Sequence, residues 1–264
     1  ALSNWDAGMD MYIYGKLGNL TMTKEGINVL MTNLTGKVPP ILQRLDYIRF
    51  NGEAAGYLHD LTLTGLFHTG AGMVKTDVMM SIDEQSMSRT YSGSVASADL
   101  DLGKLLNQEK KFGKVDFNVE LKGFNYKNRY PESYIKGIIS SFEYSQYQYE
   151  NIMLDGVYKD GGFNGRLSMD DANGSVQIDG NFNVAKTIPD FNLKASVKNL
   201  RPHDLHLSDK YENASISLDL TADFTGKSID DMNGRISLDS LQLNAPDEGG
   251  CFLDNLTITA GQVS

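Results

Sequence analysis

The feature that most constrains this chain is a strict two-residue alternation of apolar and polar side chains. Between Lys114 and Lys122, Val115, Phe117, Val119 and Leu121 fall on one side, and Asp116, Asn118, Glu120 and Lys122 on the other. Between Ala214 and Phe224, Ala214, Ile216, Leu218, Leu220, Ala222 and Phe224 share a face opposite Ser215, Ser217, Asp219, Thr221 and Asp223. Val176, Ile178, Gly180, Phe182 and Val184 repeat the pattern, as do Phe191, Leu193, Ala195 and Val197. A period of two places alternate side chains on opposite sides of a sheet. One face is then wetted and the other must be covered.

Turn chemistry separates these runs. Asp160-Gly161-Gly162, Asn173-Gly174, Asn51-Gly52 and Asn233-Gly234 tolerate positive φ and favour tight antiparallel connections. Helix is scarce. Pro39–Leu45 reads as a short helix opened by proline, and Asp101–Lys111 as a second, with Leu102, Leu105 and Leu106 at helical spacing and Gly113 beyond it. Neither is long enough to stand alone in water, so each must dock on the sheet. The expected fold is all-β. It is an elongated, repetitive, mostly antiparallel meander of at least a dozen strands, curved into a trough or a sandwich, with one or two short helices. In a sandwich the apolar face is covered by the protein's own second sheet. In a trough it is available to something else.

The order of the strands recurs. Asp60–Gly65, Asn151–Gly156 and Asn255–Gly261 read alike. Thr69–Met73 parallels Asp160–Phe163, and Met80–Asp83 parallels Ser168–Asp171. Ala96–Leu106 parallels Ala195–Leu207, the strand at Phe117 parallels that at Ile216, and Gly137–Ser140 parallels Gly234–Ser237. The unit is a meander of roughly 90–100 residues, as in stacked β architectures. The implied division is 1–57 (strands and a short helix), 58–148 (first unit), 149–250 (second unit) and 251–264 (start of a third).

The net charge of −10 and pI near 4.8 exclude duplex nucleic acid as a natural partner, because phosphate binding needs a basic face. No run approaches the ~20 apolar residues of a spanning helix. Ala1–Trp5 lacks the charged and apolar segments of a signal peptide, and the stop at Ala260–Ser264, just after a strand-like run, reads as a break within a longer protein. One cysteine, Cys251, precludes an internal disulfide and reads as a small structural thiol beside Gly249-Gly250.

Three stretches, Asn151–Gly165, Gly56–Leu63 and Ser97–Leu106, resemble the TamB branch of the AsmA-like family, in the form found in Bacteroidetes-type bacteria. The resemblance covers the chain from about Gly36 onward. It implies a periplasmic segment of a long protein anchored in the inner membrane by parts not present here. It implies a sheet bent into a trough whose apolar interior carries phospholipid acyl chains towards the outer membrane. A link to outer-membrane protein assembly follows, with an outer-membrane barrel assembly protein (TamA or a relative) as partner. The family has no catalytic residues to carry over. The candidate lipid-binding positions are therefore those of the apolar face: Val115, Phe117, Val119, Leu121, Val176, Ile178, Phe182, Phe191, Leu193, Ile216, Leu218 and Leu220.

Other chemistry finds little footing, so neither an enzyme nor a cofactor nor a metal site is expected. His203 and His206 lack a third ligand, and His59 and His68 stand apart. Asp170-Asp171-Ala172-Asn173-Gly174 lacks calcium-loop spacing and reads as an Asx turn. Asp230-Asp231 reads as loop, and Tyr91-Ser92-Gly93-Ser94 as a strand end without the nucleophile-elbow pattern. Phe142, Tyr144, Tyr147 and Tyr149 form an aromatic string suited to sugar stacking or to cross-strand packing. Three readings remain: a lipid-conducting or assembly segment, a self-covered structural or adhesive envelope scaffold, and a glycan-binding module.

Overall fold

A computed structural model describes residues 2–3, 12–35, 38, 40–57, 59–83, 85, 88–125, 132–210, 212–227, 231–246 and 249–261. The protein is an antiparallel β-meander with short helices. Strands β1 (Leu2–Ser3), β2 (Tyr12–Thr23), β3 (Tyr47–Tyr57), β4 (Asp60–Thr69), β5 (Gly72–Asp83), β6 (Ser88–Asp101) and β7 (Phe112–Asn125) are followed by β8 (Glu132–Tyr144) and β9 (Tyr147–Lys159). β10 (Gly162–Asp171), β11 (Gly174–Asn183), β12 (Asp190–Leu200), β13 (Ser215–Thr225), β14 (Asn233–Ala245), β15 (Gly249–Leu253) and β16 (Leu256–Ala260) complete the set. Strand order in the sheet is chain order from β1 to β15, with β16 also paired to β14. Among the described residues, β1 pairs with neither β15 nor β16. The chain divides into two compact units, residues 1–129 with 139–148, and residues 130–138 with 149–264.

In the first unit, helix α1 (Lys24–Thr35) follows β2 directly. The Thr23 hydroxyl accepts the Gly26 amide, as an N-cap residue does, and Glu25 occupies the first turn. No helix is predicted here from the sequence. Gly, Asn, Thr and β-branched residues give this segment poor helix propensity, and tertiary packing overrides it: Ile27 is almost fully buried. Helix α2 (Pro40–Gln43) is a single turn within the predicted Pro39–Leu45, of which Pro39 lies outside the described residues. Helix α3 (Leu102–Leu106) is shorter than the predicted Asp101–Lys111. The Asp101 carboxylate caps it at Lys104 N (2.8 Å), and Asn107 ends it in the left-handed conformation. Ile27, Leu45, Ile48, Ala71, Leu100 and Val115 form a buried cluster, with Leu42, Leu102, Leu105 and Phe142 packed around it. All three helices contribute to it.

In the second unit the crossing between β12 and β13 is a set of turns from Pro202 to His206 rather than a helix. It repeats the geometry of the β6–α3–β7 crossing in detail. Each preceding strand bulges, with Asp99 (φ 58°) and Asn199 (φ 47°) in the left-handed region, so that Leu100 faces Val115 and Leu200 faces Ile216. The next amide, Asp101 or Arg201, donates to the carbonyl just before a glycine, Ala71 O (2.7 Å) or Asn173 O (2.9 Å). That glycine, Gly72 or Gly174, has φ near +130°, and a Cβ there would strike the backbone of Leu100 or Leu200. This correspondence aligns Val115 with Ile216 and Phe117 with Leu218, two residues away from the predicted match of Phe117 with Ile216.

Two predicted turns lie in strands instead. Asn51-Gly52 lies inside β3, and Asn233-Gly234 opens β14. Gly52 faces Gly65, and the Phe50 ring lies across the pair, 2.7 Å from where a Gly52 Cβ would stand. Gly156 and Gly165 face each other in the same way under Phe163. The tripeptide Phe-Asn-Gly, at Phe50–Gly52 and Phe163–Gly165, is thus a close-approach device within strands. Asp160-Gly161-Gly162 and Asn173-Gly174 do lie at hairpin turns. Tyr91–Ser94 is mid-strand in β6, not a strand end.

Candidate functional site

The residues nominated from alternation are brought together by register, in two groups. In the second unit Val176, Val197, Leu218, Leu241 and Leu253 stand opposite one another from β11 to β15. Ile178, Ala195, Leu220, Leu238 and Leu256 form the next row, ending on β16. Leu193 lies between Gly180 and Ala222. Phe163, Phe182, Phe191 and Phe224 form an aromatic row, with ring centroids 5.7 Å apart at Phe163–Phe182 and 4.7 Å apart at Phe191–Phe224. Ile216 lies between Leu200 and Leu243 in a shorter row. Every one of these nominated residues is half-buried rather than buried. Val184, in contrast, lies beyond β11 and is 63% exposed, so the chain has left the sheet before the predicted face ends.

In the first unit the four nominated residues of β7 divide. Val115 is 6% exposed within the helix-covered cluster, and Phe117 packs against that cluster. Val119 faces Val95, Leu121 faces Gly93, and both are half-buried.

The opposite face carries charge. In the second unit Asp155 receives Lys136 Nζ at 2.9 Å and the Tyr134 hydroxyl at 2.8 Å, and Arg166 holds Asp179 at 2.7 Å. The Lys136 and Tyr134 hydrogen bonds, in that order, hold the Asp155 carboxyl below its ordinary value. In the first unit the carboxylate of Asp99 raises the Lys114 ammonium. These exposed pairs fix register and solubility more than stability. A wide-mouthed recess of about 710 Å³ runs along β11–β14, lined by Gln177, Asp179, Asn192, Lys194, Asp219 and Thr221 together with Leu193 and Leu220. Its lining is mixed, unlike the apolar rows.

The other candidates resolve as local structure. Asp171 Oδ1 accepts the Asn173 amide at 2.9 Å, an Asx turn as expected. Asp231 accepts the Lys227 amide, and Asp230 lies outside the described residues. His203 pairs with Asp204 at 3.7 Å, and among the described residues no group of three or more side chains suited to a metal occurs. Phe142 packs against the first unit's cluster and approaches Phe112, and the buried Tyr149 donates its hydroxyl to Leu205 O at 2.7 Å, so both serve packing. Cys251 is exposed on β15, which among the described residues pairs with β14 alone, and is not a structural interior thiol. Among the described residues no helix is long and apolar enough to cross a membrane.

The fold and its rows define a class: an open antiparallel meander with one apolar and one charged face. Compared with protein-family models, with curated proteins and with solved structures, the chain matches none.

Proposed function

We propose that this chain is a non-catalytic, periplasmic segment of a TamB/AsmA-like envelope protein, whose apolar sheet face carries phospholipid acyl chains between membranes or supports outer-membrane protein assembly. The observation that supports this reading is the pair of aliphatic rows through Leu218 and Leu220, half-buried and continuous across the strands of the second unit. An acyl chain laid across such rows removes apolar surface from water, worth roughly 25 cal/mol per Å². It needs no specific polar contact to do so. The charged opposite face stays hydrated. Phospholipid acyl chains are the proposed ligand. An outer-membrane barrel assembly protein is the proposed partner, reached through parts of a longer protein.

Native mass spectrometry and lipid extraction of protein purified gently from a bacterial envelope test this. Near-stoichiometric phospholipid, lost on Leu218→Asp in a protein that still folds, is the expected result. A lipid-free, thermally stable protein counts against it.

A second reading is favoured by the helix-covered cluster around Val115, where the chain covers its own apolar face. Under that reading the segment is a structural or adhesive scaffold of the envelope.

A further inference from the structure

The recess on the charged face of the second unit is framed by two polar rows. Gln177, Ser196 and Asp219 face one another from β11 to β13, and Asp179, Lys194 and Thr221 do the same one step along the strands. The rows stand about 7 Å apart, two residues at ~3.4 Å each. Between them the floor is backbone, because Ala195 and Leu220 turn their side chains to the apolar face. Ser196 and Thr221 are half-buried beside that floor, and Gln177, Lys194 and Asp219 are exposed around it. β14 adds one more group. Asp219 faces Ser240 and Leu220 faces Leu238, so Asp239 has no partner in the ladder, and this bulge sets its carboxylate at the recess. On the neighbouring part of the same face the polar side chains engage one another: Tyr134 and Lys136 hold Asp155, and Arg166 holds Asp179. In the recess, Gln177, Lys194, Ser196, Thr221 and Asp239 have no side-chain hydrogen bond or ion pair among the described residues.

We infer that this recess binds an extended β-1,4-linked glycan, lying across the strands between the two rows with about one sugar ring per strand. Adjacent strands are ~4.8 Å apart, close to the advance per ring along such a chain. Its hydroxyls emerge on both edges, where each edge meets one row. A hydroxyl both donates and accepts, which suits rows that intermix carboxylate, ammonium, amide and hydroxyl groups. A polymer of one charge fits worse: Lys194 repels a polycation, and Asp179, Asp219 and Asp239 repel an acidic polysaccharide. The site lies on the face opposite the apolar rows, so it does not depend on what those rows carry. The aromatic string from Phe142 to Tyr149 takes no part in it.

Titration of the full chain, followed by amide chemical shifts up to millimolar ligand, tests this. The probes are β-1,4-linked oligomers of N-acetylglucosamine and, separately, of glucose, from one ring to six, with α-1,4-linked glucose oligomers as the coiled counterpart. The expected result is a set of shifts centred on β11 to β14. Affinity in at least one β-linked series should rise about two- to ten-fold per ring up to four rings, one for each strand, and then level off. The two β-linked series distinguish an N-acetylated glycan from a plain one, and the α-linked series should bind more weakly. Ser196→Arg fills the floor and should weaken the four-ring oligomer roughly ten-fold or more, and Asp239→Ala, at an exposed position, by about two- to ten-fold, with the thermal midpoint unchanged. If the arginine variant fails to fold, Asp239→Ala carries the test. No binding in either β-linked series overturns the inference. So does an affinity indifferent to length, an α-linked series that binds as well, or a folded Asp239→Ala variant that binds as the parent does.

Discussion

Phe117 and Leu218 occupy matching positions, each two residues beyond the one that faces a bulged leucine, yet their surroundings differ. Phe117 packs against a cluster to which the first unit brings Ile27 from α1, Leu42 from α2 and Leu102 and Leu105 from α3. Leu218 is half-buried, and the second unit's turn crossing before β13 has one fully buried side chain, Leu205. The strands are alike in alternation. What differs is how much apolar side chain the crossing segments bring back onto the face. Whether such a face becomes core or surface is thus decided outside the strands themselves.

The largest effect is expected where the face is covered. Leu45→Ala, at a position 4% exposed, should cost about 2–5 kcal/mol in denaturant unfolding, because it opens a cavity under the helices. A cost below ~1 kcal/mol would remove the contrast between the units. Next comes Gly165→Ala. Its Cβ would stand 2.4 Å from Gly156 Cα and 2.3 Å from Asp155 O, so a loss of about 1–3 kcal/mol is expected from strand displacement. Unchanged stability would show that the Phe163 ring and the glycine pair are not tightly apposed.

Leu218→Ala should cost about 1–2 kcal/mol in lipid-free protein, less than Leu45→Ala, because half-buried atoms return less transfer free energy. Added phospholipid should raise the thermal midpoint of the parent more than that of this variant. Equal shifts would separate the rows from lipid binding. The smallest effect concerns pH. Asp155 is held below its ordinary value, so its contribution is present above the unfolded-state value and is lost as pH falls through the lower folded value. Lys136→Gln should therefore flatten the acid limb of the stability profile slightly. An identical limb in the variant would mean that the pair does not persist in solution.

Much of the fold was legible because alternation reports a sheet face directly, and the β7, β11, β12 and β13 runs became strands with their apolar residues on one side, except that Val184 lies beyond β11 and Ala214 precedes β13. Glycine was harder to read. In Asn173-Gly174 it makes a turn, and in Asn51-Gly52 it lets two backbones approach beneath a phenylalanine. The dipeptide is the same; an aromatic residue precedes the asparagine at Asn51-Gly52 but not at Asn233-Gly234, which also lies in a strand. Helix α1 was hidden by its composition, although Thr23 as a cap and Ile27, Leu30, Met31 and Leu34 at helical spacing were available as signals. The covering of Val115 was legible only in part: helices at Pro39–Leu45 and Asp101–Lys111 were expected to dock on the sheet, but α1, which brings Ile27, was not foreseen, nor was the place where the three meet. Alternation could nominate the apolar face, but it carries no information on what lies above it.

The pairing of strands β1 to β15 with their neighbours in sequence has a consequence for how such a molecule can change in length. Removing or duplicating one hairpin deletes or inserts two adjacent rungs and leaves the ladder on either side in register. Strand direction is restored after every second strand, so the apolar side stays on its face. A chain built this way can be lengthened or shortened in pairs of strands by unequal exchange of its gene, with no rearrangement of the remaining hydrogen bonds.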